Sequence, residues 1–381
     1  MNFELTEDQI LLRDMIRDFV QNEIIPVART YEEKHEFPHE LLKKLSQLGI
    51  LGMSIPAEYG GIRTDSLSFI LAIEEISKAM PSLAVVLSVH CSLFCYAILR
   101  FGSEHQKKKY LPKAAKGETL GAFSLTEPGA GSDVSNLKTK AVKRGDAYIL
   151  NGTKAWVTTG SEADAFIIFA LTETGSQAYK LSAFIVDKES PGIRVSKIEE
   201  KMGLHSSMTT EIVLEDCRVP EENLLGQMGK GASIAFTCLD GSRIGIAAQS
   251  VGLSQRALDE AVKYAKQREA FGKRIEEFQA IQFMVADMSV LIDAARMLTY
   301  RAAELRDKEK PVTKEAAMAK LFASEAANKI AYMALQIHGG YGYSREFVIE
   351  QLYRDARVLS LYEGTSEIQR LIIARDLLKE R

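Results

Sequence analysis

The sequence predicts an α+β chain of three units in the order helical, β, helical, spanning residues 1–118, 119–226 and 227–381. Three observations carry this reading. Apolar residues recur three and four apart through the first third. Short runs rich in β-branched and aromatic residues, separated by Gly, Asn, Asp and Pro, replace them from about residue 119. After the glycine-rich stretch 226–231 the helical spacing resumes almost to the end. A chain of 381 residues also exceeds one ordinary core, which suits two or three packed units.

The first helix opens at Thr6, with Gln9 three residues on as a capping box. Ile10, Leu11, Met15, Ile16, Phe19, Val20 and Ile24 line its face, and the pattern ends at Pro26. A second helix opens near Pro38 and carries Leu41, Leu42, Leu45 and Leu48. Others follow over 67–80 and 83–99, and Ser103 with Gln106 caps one running into the lysine-rich turn before Leu111. In the β unit, 147–150, 165–171, 181–186, 193–198 and 211–219 read as strands of a small sheet or barrel. In the last unit Met284, Met288, Leu291 and Met297 stand at helical spacing, which makes them core rather than a cofactor box. No fixed-period repeat is present.

Composition narrows the function. With 48 basic and 51 acidic residues the net charge is −3, which supplies no broad field for nucleic acid. Cys91, Cys95, Cys217 and Cys238 match neither a disulfide framework nor a C-x2-C metal pattern, and His90-Cys91 sits in an apolar helical run where a buried thiol is the commoner outcome. A reducing compartment and no metal are expected. No stretch approaches roughly 18 consecutive apolar residues, so a soluble chain without membrane insertion or targeting peptide is expected.

Four segments hold candidate chemistry. Gly121 to Asp133 (Gly-Ala-Phe-Ser-Leu-Thr-Glu-Pro-Gly-Ala-Gly-Ser-Asp) combines small residues that admit a close ligand with hydroxyls that donate and accept, and it reads equally as an ordinary glycine-rich turn. Lys154 to Gly160 holds the sole tryptophan, Trp156, beside Thr158 and Thr159; a lone Trp is usually a core or interface anchor, yet here hydroxyls flank it. Ile337 to Ser344 carries His338 and three glycines, either a helix cap or a set of backbone donors for a diphosphate. His338 itself reads as a packed loop histidine. In Leu361 to Arg370, Ser366 and Gln369 have capping-box spacing, and Glu363 stands just outside that helix start between Tyr362 and Gly364, where a carboxylate becomes partly desolvated and more basic.

Three stretches together, Thr126-Glu127-Pro128-Gly129-Ala130-Gly131-Ser132-Asp133, Gln267-Arg268-Glu269-Ala270-Phe271-Gly272 and Tyr362-Glu363-Gly364-Thr365-Ser366-Glu367-Ile368-Gln369-Arg370, resemble the acyl-CoA dehydrogenase family. The resemblance runs in the same order over essentially the whole chain, closest to short-chain and short branched-chain members. It implies an N-terminal all-α domain, a central β-barrel-like domain, a C-terminal four-helix bundle, and a homotetramer that is a dimer of dimers. It implies FAD as cofactor, with Phe123, Ser124, Leu125, Thr126, Ser132, Trp156, Val157 and Thr158 around the flavin ring. Arg268, Gln279, Gln336, Gly339 and Gly340 would reach the FAD of the partner subunit, and Thr365 and Glu367 would complete the pocket. Ser132, Asp240, Arg243, Tyr362 and Gly364 would face the acyl-CoA.

The implied reaction removes the α-proton of a short-chain, branched or cyclic acyl-CoA thioester with Glu363 and passes the β-hydride to flavin N5, leaving a 2-enoyl-CoA. Some members of the family carry the base just before the arginine of the Leu239-Asp240-Gly241-Ser242-Arg243 segment. Here that position is Ser242, too weak a base to compete. The expected electron acceptor is an electron-transferring flavoprotein, since no strand–G-x-G-x-x-G–helix unit for a nicotinamide dinucleotide is found. An acyl-CoA oxidase using oxygen and a non-catalytic acyl-CoA-binding flavoprotein are the competing readings. The expected location is the bacterial cytoplasm or, for a processed form, the mitochondrial matrix.

Overall fold

The structure, a computed structural model, describes residues 4–174 and 178–379, so the outer ends of the first and last units lie outside the described residues. Both halves of the expected capping box form at α1 (Glu7–Phe19): the Gln9 N–H donates to Thr6 Oγ1 at 3.3 Å and the Thr6 N–H to Gln9 Oε1 at 3.0 Å. The helix does not end at Pro26. A π-helical turn, Val20–Ile24, leads into α2 (Ile25–Lys34), and Pro26 falls in the first turn of the new segment, where its missing N–H costs little.

Then come α3 (His39–Gln47) and α4 (Ser66–Ala79), the latter capped by Asp65. A continuous helix follows, built from α5 (Pro81–Ser88), a π-helical segment Val89–Cys95 and α6 (Tyr96–Phe101). The segment α7 (Glu104–Ala115) forms on the Ser103–Gln106 capping box and runs on through Pro112 past the expected turn. Contrary to the sequence expectation, the helix Pro81–Phe101 is long and apolar enough to cross a membrane by length and composition, because serines and His90 interrupt its apolar run without adding charge. In the fold 89% of its most apolar window is buried inside the protein, where it serves as a central core helix.

Eight strands form one sheet: β1 (Gly121–Ser124), β2 (Lys140–Arg144), β3 (Ala147–Thr158), β4 (Ala165–Thr174), β5 (Ala178–Asp187), β6 (Ile193–Ile198), β7 (Thr209–Pro220) and β8 (Leu224–Leu225). The order is β6-β7-β3-β2-β4-β5-β8, with β1 also paired to β4. The expected barrel is therefore, in its hydrogen bonding, an open path with β6 and β8 at its ends. Strand alternation splits β4 between two cores: Phe166, Ile168 and Ala170 face the sheet's own core, while Ala165, Ile167 and Phe169 join the helices. Gly121 permits the closest approach between the units, since a Cβ there would stand 1.9 Å from Cγ of the buried Phe94. His90 ties the same joint. Its Nδ1 accepts the Gly121 N–H and its Nε2 donates to the Ala114 carbonyl, both at 3.2 Å, and burial pushes this neutral imidazole down to about 4.

The last unit comprises α8 (Gly231–Ala265), a hairpin of β9 (Glu269–Ala270) and β10 (Lys273–Arg274), then α9 (Gln279–Asp307), α10 (Thr313–His338), α11 (Val348–Val358) and α12 (Ser366–Leu377). Helices α8, α9 and α10 pack on one another, α11 and α12 pack against α10, and α4 packs on α8. Of the four residues expected in its core, Met288 is buried and Met284 and Leu291 are partly buried, but Met297 is 41% exposed. With Phe283 and Val290 it forms an apolar stripe of period seven on the outside of α9. Helical spacing marks an apolar face without saying what covers it.

Candidate active site

One cavity of about 630 Å³ is lined by all three units. Val85, Val89 and Leu93 contribute one helical stripe from α5 and the π-helical segment, while His90 and Cys91 on the same stretch turn away into the core. The β unit contributes Phe123, Leu125, Thr126, Ser132, Trp156 and Thr158; α8 contributes Phe236, Leu239 and Arg243; and Tyr362, Glu363, Gly364 and Thr365 form the remaining side.

Local structure explains how the sheet presents its residues. The pairing of β3 with β7 slips between Lys154 and Val157, a bulge that carries Trp156 at φ +57°. The tryptophan is 60% exposed, so it is not a core anchor, whereas its neighbour Val157 is buried in the sheet's core. Behind the 125–127 strip stands an ion pair without solvent: Lys154 Nζ meets Glu127 Oε1 at 2.8 Å and the Leu125 carbonyl at 3.2 Å. The Glu127 carboxylate also accepts the N–H groups of Lys138 and Thr139 at 2.7 and 3.0 Å.

Glu363 follows the end of α11 and precedes α12, with φ +53°, and Gly364 continues at φ +91°. A non-glycine residue in that region costs about 1–2 kcal/mol, which the surrounding bonds must offset. The Tyr362 hydroxyl donates to the side-chain oxygen of Gln249 on α8. Gln369 Nε2 donates to the carbonyls of Glu363 (3.1 Å) and Gly364 (2.9 Å), and Lys320 Nζ, fully buried on α10, donates to the Gly364 carbonyl at 2.7 Å. Burial pushes the Glu363 carboxyl above its ordinary value, against the pull of Arg243, the Ser242 hydroxyl and Lys320. Its Oε2 has no hydrogen-bond partner in the protein. Arg243, 4% exposed, pairs with Asp240 at 2.7 Å and leaves its Nε unpartnered.

Eleven residues chosen from the sequence thus meet in one cavity: Phe123, Leu125, Thr126, Ser132, Trp156, Thr158, Arg243, Tyr362, Glu363, Gly364 and Thr365. Ser124 and Val157 lie behind it, buried, and Asp240 stands behind Arg243. Glu367 is exposed at the start of α12. Arg268, Gln279, Gln336, Gly339 and Gly340 do not line the cavity and are exposed; the Arg268 guanidinium lies over the Tyr341 ring, which brings it beside the 339–343 turn. His338 is buried as the last residue of α10, not in a loop, and stacks on Tyr264. Sequence reasoning missed the lip at 200–204, with Arg354 and Arg357 beside it. No local pattern marks that lip. It is placed by two buried carboxylates from distant segments, Glu32 accepting the N–H of His205 and Asp355 that of Leu204.

The cavity fits a flavin ring. Thr126, Ser132 and Thr158 bring hydroxyls to its wall, and Trp156 offers an exposed aromatic face. Gly129 and Gly131 have neither a left-handed φ nor any atom within 4 Å of a would-be Cβ, so nothing inside the chain calls for glycine there, and Gly131 leaves open space on the cavity wall.

The chain matches the family models described as acyl-CoA dehydrogenase N-terminal domain over residues 6–118, middle domain over 122–217 and C-terminal domain over 229–378. It is 49% identical to an acyl-CoA dehydrogenase of Bacillus subtilis (strain 168), over 98% of this chain and 99% of that one. Among solved structures it superposes on butyryl-CoA dehydrogenase from Megasphaera elsdenii with a TM-score of 0.96 and 43% identity, covering all of both chains. A chain in a structure described as "Electron transferring flavoprotein of Acidaminococcus fermentans: Towards a mechanism of flavin-based electron bifurcation" matches with a TM-score of 0.97 and 47% identity, again over all of both chains.

Proposed function

The chain belongs to the acyl-CoA dehydrogenase family, and on that premise we propose that it is an FAD-dependent enzyme that converts a short-chain acyl-CoA to the 2-enoyl-CoA with Glu363 as the base. The observation that carries this is the Glu363 carboxylate, raised by burial and with a free Oε2, on the wall of the same cavity as Trp156 and Thr158. The 123–132 strip with Trp156 and Thr158 would hold FAD, which when bound would supply the two-electron acceptor for the β-hydride. Everything else falls to the chain's own groups. The α-proton goes to the Glu363 carboxylate, and the backbone N–H of Glu363 donates to the thioester carbonyl, where charge develops as the proton leaves. The apolar residues Val85, Val89, Leu93, Phe236 and Leu239 exclude water, which makes the carboxylate a stronger base.

The short acyl group is supported by the likeness to butyryl-CoA dehydrogenase, and an electron-transferring flavoprotein as acceptor by the likeness to the Acidaminococcus fermentans structure. Assembly as a homotetramer draws support from the uncovered stripe of Phe283, Val290 and Met297. In that assembly Arg268, Gln279, Gln336, Gly339 and Gly340 reach the FAD of a neighbouring subunit, while Glu367, Asp240 and Arg243 serve the pocket of their own. Four buried free cysteines suit a reducing compartment such as a bacterial cytoplasm.

The test is Glu363→Gln. The variant should still retain FAD and bind butyryl-CoA, while anaerobic bleaching of the flavin by butyryl-CoA slows by about 10²–10⁴. Bleaching at the wild-type rate would assign the proton to another group.

A further inference from the structure

We propose that Lys320 is a positioning residue for Glu363, holding the base loop through the Gly364 carbonyl and supplying the positive charge that keeps the carboxylate ionised. The inference rests on the assignment of Glu363 as the base. Lys320 is 0% exposed in the middle of α10, a place where an ammonium group is rarely found without a partner. Its Nζ bonds the carbonyl of Gly364 at 2.7 Å rather than a carboxylate. A buried charge spent on a neutral carbonyl is an expensive way to hold a loop, because Gln369 Nε2 already reaches the same oxygen at 2.9 Å. The charge itself therefore needs an account, and Glu363 is the carboxylate that feels it most.

Glu363 is acted on by Arg243 and Ser242 of α8 and by Lys320 of α10, and bears in turn on Cys238 of α8 and on Tyr362. Lys320 also feels Glu367 of α12 and Glu325 of α10. Arg243 is engaged by Asp240 at 2.7 Å, which compensates much of its charge. Glu325 is drawn off by Arg370 at 2.6 Å, and Glu367 is exposed. Lys320 thus bonds no carboxylate, and Glu363 is the carboxylate that acts on it most. Burial pushes the ammonium down to about 8, and Glu363 pulls it back. Removing it leaves the Glu363 proton more tightly held.

The experiment compares Lys320→Gln and Lys320→Met in the FAD-loaded enzyme, measuring kcat and KM for butyryl-CoA across pH together with FAD content. Lys320→Gln can keep a bond to the Gly364 carbonyl but not the charge. Its kcat at alkaline pH should stay within roughly threefold of wild type, with KM unchanged, while at acid pH kcat falls on the order of tenfold because the acid limb moves to higher pH. Lys320→Met loses bond and charge, and should show the same displaced limb with a further fall at every pH. An undisplaced limb in a folded, FAD-loaded Lys320→Gln enzyme overturns the inference, as does a change confined to KM. Should Lys320→Met not fold, Lys320→Gln decides alone. The control is Glu363→Gln: if that variant is active, the assignment of the base is at fault, and if it is inactive while the Lys320→Gln limb stands still, only the role of Lys320 falls.

Discussion

Lys154→Met probes the ion pair behind the 125–127 strip of the cavity wall. Lys154 and Glu127 are 0% and 6% exposed, and the methionine fills the lysine's volume without its charge. What remains is a buried carboxylate that keeps two backbone donors, Lys138 and Thr139, but no cation. Breaking a buried pair in this way costs roughly 3–5 kcal/mol, and the two surviving N–H bonds place the cost near the lower end, about 3 kcal/mol. For 381 residues an unfolding entropy of about 2.1 cal/mol/K per residue gives roughly 0.8 kcal/mol/K, so the melting temperature should fall by about 4 °C. Because Lys154 also bonds the Leu125 carbonyl, and Ala155 N–H bonds that of Thr126, FAD should dissociate faster as well. Differential scanning fluorimetry with flavin fluorescence reads both. Adding Glu127→Gln removes the orphaned charge and should recover part of the loss. A single variant that melts within about 1 °C of wild type with full FAD, or a double variant that is simply additive, would refute the reasoning.

Two further outcomes are expected. Arg268→Ala, which removes the guanidinium lying over Tyr341 beside the 339–343 turn, should lower FAD content and shift the assembly toward smaller species together, since a ligand shared across an interface stabilises the interface; analytical ultracentrifugation showing full FAD in an unchanged oligomer contradicts it. Asp355, 0% exposed, is pushed up to about 7 by burial and by Glu32, so between its ordinary value and about 7 the folded chain holds a proton that the unfolded chain has released. Stability contributed by this group is therefore present at low pH and lost as pH rises toward 7. Asp355→Asn should flatten that decline in melting curves taken from pH 5 to 8, and parallel slopes would exclude the group as its source.

Much of this was legible because the motifs are local. The capping boxes at Thr6 and Ser103 need only three residues to declare themselves, and both form as read. The cavity residues of the β unit and of the 362–365 turn lie in contiguous runs for the same reason. What the sequence hides is non-local. Strand β1 is four residues of Gly, Ala, Phe and Ser, with no β-branched member, and it exists because β4 pairs with it and Phe94 packs where a side chain would be. The helix through Pro26 needs a π-turn that no propensity foretells. The 200–204 lip depends on Glu32 and Asp355, 323 positions apart in the numbering, reaching consecutive backbone N–H groups.

The same non-local packing explains how the proposed base, Glu363, can stand on a loop. A loop carboxylate is ordinarily mobile and solvated, and so neither oriented nor raised. Here the loop's freedom is removed from three directions: Tyr362 is bonded to Gln249 on α8, Gln369 on α12 holds the carbonyls of Glu363 and Gly364, and Lys320 on α10 holds the second of these. Ser242 on α8 lies close enough to Glu363 for its hydroxyl to draw on the carboxylate. A buried helix position and a loop position on the cavity wall therefore lie beside each other, and of the two only 363 carries a carboxylate. The cost of the left-handed backbone at Glu363 is offset by bonds that a helix position would not need, and what the loop gains is a carboxylate with one oxygen left free inside an apolar cavity.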